Sequence, residues 1–219
     1  MKRILFSWFT ITVFAIFAFN ACSDDDNPTE PDNNGGGTVT SVSGTIDNWT
    51  LGDGYTVKLV VDTDAKNIFE AGTSSISTSG NFNIENIKAV PADFLTTASD
   101  DLPDSVNTTN PNAKVASGSF YVYNNSGTQT GEIYSEGTGS TSWYEAIYVY
   151  SDSDVSYSGS YNNNGYVTNV DITFKKGWNV YYFVTDFADN NYSSKLTSTK
   201  PGDLSWTYGY KTKKAPRLF

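Results

Sequence analysis

Histidine is absent from this chain, cysteine occurs once, at Cys22, and methionine only at Met1. Without histidine there is no Ser-His-Asp or Cys-His nucleophilic centre, no histidine-ligated zinc and no HExxH peptidase helix. A single cysteine closes no disulfide within the chain, so packing must carry the fold. Basic residues are scarce, 14 against 24 acidic. That balance argues against nucleic acid or anionic lipid as a partner, because both demand concentrated positive charge. Lys211, Lys213, Lys214 and Arg217 do cluster, but only at the C-terminus. Glycine-rich phosphate loops and dinucleotide fingerprints are missing too.

One long hydrophobic run exists, over residues 4–19, broken by Ser7, Thr10 and Thr12. Lys2 and Arg3 precede it and Phe19-Asn20-Ala21-Cys22 follows, the layout of a secretion signal rather than a membrane span. The segment ending at Cys22 resembles the lipobox of bacterial lipoproteins. That resemblance implies that residues 1–21 are a signal peptide and that Cys22, once acylated, becomes the new N-terminus. Ser23-Asp24-Asp25-Asp26 resembles the acidic export signal of Bacteroidetes-type lipoproteins, which implies the outer face of the outer membrane. An acylated lipoprotein cysteine carries several chains, which makes attachment lasting, and it has no free thiol. Residues 27–37 contain no hydrophobic side chain and complete a flexible tether over 22–37. Without the leader, 12 basic residues face 24 acidic ones, a formal charge of −12.

The remainder, 38–219, is long enough for one domain with one good core. A period of two dominates it. Val42, Gly44 and Ile46 alternate with polar neighbours, as do Tyr55, Val57 and Leu59, and Phe82 and Ile84 after Ser79-Gly80. Later runs follow the same rule: 120–123, 143–150, 155–161, 166–174, 178–184 and 206–210. No stretch carries a convincing helical period. These patterns predict an all-β fold, an antiparallel β-sandwich of about eight to ten strands. Asn162-Asn163-Asn164-Gly165 and Lys175-Lys176-Gly177 read as hairpin connections. Residues 85–117, irregular and holding Pro91, Pro103 and Pro111, read as a crossover between strand groups. Segments 42–46 and 79–84 resemble the first strands of transthyretin-like, carboxypeptidase-regulatory-type sandwiches. This implies a transthyretin-like or immunoglobulin-like arrangement and nothing about activity.

Carboxylate pairs are the chemistry that remains, and glycoside hydrolysis is a reaction that needs only those. Glu132 and Glu145, in or beside aromatic strands, are the pair to inspect; otherwise each simply projects from a half-exposed sheet. Calcium takes six to eight oxygens. Asp62 with Asp64, Asp152 with Asp154, and Asp186 with Asp189, Asn190 and Asn191 are candidate ligands, the last loop above the others. None fits an EF-hand, since Lys66 stands where the loop after Asp62 needs an oxygen. Turns favour Asp and Asn for backbone reasons as well. No resident cofactor is expected.

Tyrosine is the surplus residue, with 15 copies. Tyr121 with Tyr123, the row Tyr144, Tyr148 and Tyr150, and the row Trp206, Tyr208 and Tyr210 each place rings on one side of a strand. A row facing water is a platform for sugar rings or a partner protein, whereas a row facing inward is core. Asp104-Ser105-Val106 resembles the O-glycosylation motif of exported proteins from the same bacterial group. The expected role is therefore non-enzymatic, binding or structural, with a glycan, an envelope protein or another cell surface as partner. A carbohydrate-active enzyme is the alternative.

Overall fold

The computed structural model describes residues 38–64, 67–163, 166–187 and 192–210. Cys22, the acidic flank, the tether and the terminal lysines lie outside these residues. Among the described residues there are fifteen strands and two short 3₁₀ turns. In chain order they are β1 (Val42–Thr45), β2 (Tyr55–Asp64), β3 (Asn67–Ile76), β4 (Asn81–Ile84), β5 (Thr96–Thr97), β6 (Val106–Thr108) and β7 (Lys114–Ser117). Next come β8 (Ser119–Asn124), β9 (Gln129–Thr138), β10 (Ser142–Ser151), β11 (Val155–Asn163) and β12 (Tyr166–Phe174). The last three are β13 (Gly177–Asp186), β14 (Ser193–Thr197) and β15 (Ser205–Gly209).

The fold is all-β and sandwich-like. β1 and β4 pair with each other as a small antiparallel sheet. The other strands form one large sheet whose path runs β3-β2-β8-β9-β10-β13-β14-β12-β11-β6, with β15 on β9 and β7 on β10. It curls so that β10 and β13 lie in the middle with a hydrophobic core against each face. Tyr144, Ala146, Tyr148 and Tyr150 of β10 and Trp178, Val180, Tyr182 and Val184 of β13 join one core, with β1, β2, β4, β8 and β15. Ile147, Val149, Tyr181 and Phe183 join the other, with β7, β11, β12 and β14. Both strands are therefore buried on two faces, an arrangement in which period-two alternation no longer separates inside from outside.

Three expectations change in detail. The described residues carry fifteen strands rather than eight to ten, because several strands are too short to be seen as separate runs. Lys175-Lys176-Gly177 does join β12 to β13, but these strands do not pair; β14 lies between them, antiparallel to β13 and parallel to β12. Side chains hold the connection in this shape. The buried Asn179 accepts from the Lys175 N–H at 2.9 Å and donates to the Lys175 and Gly177 carbonyls at 2.7 and 2.8 Å. Asp154 accepts from Lys175 Nζ and the Lys176 N–H, both at 2.9 Å, and these bonds hold its carboxyl below the usual range. Residues 85–117 are more than a crossover, because they carry β5, β6 and β7, and β6 and β7 join the large sheet. Strands of two to four residues are too short to show a period.

Tyr157, 1% exposed and packed beside Phe174, has its hydroxyl pushed well above the ordinary tyrosine range, by burial first and by Asp152 second. A raised folded value means that its contribution is complete below about pH 10 and is lost as pH rises beyond it. From about pH 10 upward this group should remove about 1.4 kcal/mol of stability per pH unit. Urea midpoints at pH 8, 10 and 11 check this, and Tyr157→Phe should flatten the alkaline slope by about one proton.

Candidate functional site

On β2 and β8 the alternation of the sequence has its ordinary meaning. Val57 and Leu59, and Phe120 and Val122, enter the core, while Thr56, Lys58, Tyr121 and Tyr123 stand on the opposite, open face. The antiparallel register sets Lys58 opposite Tyr121 and Thr56 opposite Tyr123. On the other side β3 brings Glu70 opposite Val60, just past a register shift between Leu59 and Val60. Lys58 Nζ meets Glu70 Oε2 at 2.8 Å and lies 5.1 Å from the centroid of the Tyr123 ring. Burial lifts the Tyr123 hydroxyl above its ordinary value, opposed by Lys58. At neutral pH it stays a neutral hydroxyl that can both donate and accept.

Thr56, Lys58, Ile68, Glu70, Tyr123 and Asn125 line a groove of about 420 Å³ here. That is the size of a small-molecule or sugar site. Its floor is formed by strands β2, β3 and β8. Its rim is the β8–β9 turn, where Asn124 Oδ1 accepts from the Ser126 and Thr128 N–H groups at 3.1 and 2.9 Å. The groove thus combines one aromatic ring, one internally neutralised ion pair and several neutral hydrogen-bonding groups. The sequence places Tyr121 and Tyr123 on one side of their strand. Lys58 and Glu70 carry no local signal of this site, because only the β2–β3 and β2–β8 register brings them to the tyrosines.

The other aromatic rows are not platforms. Tyr144, Tyr148, Tyr150 and Trp206 are 5%, 6%, 7% and 3% exposed and belong to the core. The Tyr144 hydroxyl donates to the Asp203 carbonyl at 3.0 Å. Trp206 lies edge-on to Phe82 and Phe120, with centroids at 5.2 and 5.1 Å. Tyr208 is half-buried, donates to the Thr130 carbonyl at 2.8 Å and packs edge-on against Trp49. Tyr210 alone projects outward, 73% exposed. Tyr148 packs against Phe120 of β8 and Trp206 of β15, and Tyr150 against Trp178 of β13, so this face of β10 is core and not surface.

Glu132 and Glu145 do line one opening, between β9 and β10, but it measures about 30 Å³. That admits water and not a sugar ring. Glu145 itself is 6% exposed. In the β9–β10 register Glu145 lies opposite Glu136, whose carboxylate accepts the Trp143 indole N–H at 3.1 Å. Tyr134, between Glu132 and Glu136 on β9, has its hydroxyl lifted by burial and then by Glu136, Glu132 and Glu145.

Two of the acidic loop candidates, Asp152 and Asp154, have structural partners. Asp152 accepts from the Lys114 N–H and Ser153 Oγ at 2.9 and 2.8 Å, and Asp154 is bound as described above. Among the described residues no group of three or more acidic, cysteine or histidine side chains is placed to hold a metal. Asp186 ends β13; Asp189, Asn190 and Asn191 lie outside the described residues. Ser105 sits in an exposed turn just before β6. Among the described residues no helix is long and apolar enough to cross a membrane. Compared with protein families, characterised proteins and solved structures, the chain matches none.

Proposed function

We propose that this chain is a lipoprotein tethered through Cys22 to the outer face of an outer membrane, and that its β body is a non-enzymatic binding module for a glycan. The groove on the open face of β2, β3 and β8 carries the binding half of this reading. Tyr123 offers a ring for a sugar face, and Thr56 and Asn125 offer neutral donors and acceptors at its edge. Lys58 is already matched by Glu70, and the chain is strongly acidic, so the favoured glycan is neutral rather than sulfated or carboxylated.

The location half rests on the lipobox-like segment and Ser23-Asp24-Asp25-Asp26. Radiolabelled palmitate should enter the wild-type protein in its host and be absent from Cys22→Ala, which should also leave the membrane fraction. Equal labelling of the two proteins contradicts the anchor. A carbohydrate-active enzyme is the second reading, favoured by Glu132 and Glu145 sharing one opening and opposed by the size of that opening.

A further inference from the structure

We infer that the opening where β8, β9 and β10 part holds an ordered internal water bound by Ser135. The ladder between β9 and β10 stops at Glu145 opposite Glu136, and the ladder between β7 and β10 begins at Val149 opposite Ser117. Between these points β10 receives the Gly118 N–H on the Tyr148 carbonyl, at 2.9 Å. β8 meanwhile pairs with β9 from Phe120 opposite Ile133. Three short stretches, 118–120, 132–135 and 145–148, therefore surround this opening, the one that Glu132 and Glu145 also line, with Trp206 beside it.

Backbone polar groups that border such a hole need partners, and so does any hydroxyl that faces it. Ser135 is 1% exposed, lines the opening, and its Oγ has no hydrogen-bond partner among the described residues. Directly opposite it on β15 is Trp206, whose indole nitrogen lies over Gly44 rather than over a polar atom. The volume of about 30 Å³ suits one water or two and nothing larger. Water also suits the rim, because one molecule can donate or accept at Ser135 Oγ while bonding other polar atoms around it. It would join the strands where their own ladder fails.

A crystal structure near 1.5 Å resolution tests this, together with those of Ser135→Val and Ser135→Ala. In the wild type a density peak is expected roughly 2.6–3.2 Å from Ser135 Oγ. Ser135→Val should put a methyl group in the opening and lose the peak. Should that variant fail to fold, Ser135→Ala, which adds no bulk, should show the peak lost or sharply weakened. An opening without density, with Ser135 Oγ turned onto a backbone carbonyl, overturns the inference. So does a peak that stays at full strength in Ser135→Ala.

Discussion

Trp206→Ala should destabilise the protein by about 3–5 kcal/mol, the range for removing a buried aromatic side chain. The indole sits where several layers meet. It is edge-on to Phe82 of β4 and Phe120 of β8 and stacks with Tyr148 of β10 at 6.2 Å. Its strand is also tied to the end of β1 by a parallel bridge to Ile46 and by the Asp47 N–H donating to the Trp206 carbonyl at 2.9 Å. Gly44 makes room for the ring, because any side chain there would enter the indole. The cavity left by alanine touches aromatic rings from three strands, which cannot all move inward together. Urea unfolding followed by circular dichroism measures the loss, and a change below about 1 kcal/mol would show that the ring is not central to the core.

Gly159→Ala should cost about 2–4 kcal/mol, from overpacking and backbone strain together. Gly159 lies on β11 with φ +142°, a conformation that side chains rarely adopt. A Cβ there would collide with the Ser105 carbonyl oxygen and sit 3.1 Å from Val106 Cα. Both are backbone atoms of the turn into β6, so no rotamer change relieves the clash. Gly127, at φ +76° in the β8–β9 turn, is the control: a Cβ there meets nothing within 4 Å. Its alanine variant should therefore cost only about 1 kcal/mol. The difference between the two midpoints isolates the packing of residues 103–106 against β11, and equal losses would refute it.

Legibility in the sequence followed one rule, that period two marks strands with one wet face. Where that holds, as on β2 and β8, the fold class and the placing of Tyr121 and Tyr123 on the face opposite Phe120 and Val122 can be read directly. On β10 and β13 it fails, because both faces are buried and Glu145, Ile147 and Val149 are as internal a set as Tyr144, Tyr148 and Tyr150. No local pattern distinguishes a tyrosine row against water from one against a second layer. Nor could the sequence reveal the insertion of β14 between β12 and β13, since a short connection normally means a hairpin. The groove was half visible: its tyrosine belongs to a recognisable row, while Lys58 and Glu70 reach it through long-range register.

Binding of defined neutral oligosaccharides by wild type and Tyr123→Ala, measured by titration calorimetry, asks most directly whether the open face of β2, β3 and β8 is a ligand surface. Chitohexaose, mannohexaose, maltohexaose and xylohexaose form a suitable panel. At least one should bind the wild type, and Tyr123→Ala should weaken it by about tenfold or more, equivalent to about 1.4 kcal/mol. No binding to any of them, or equal affinity in the two proteins, would contradict a glycan site at Tyr123.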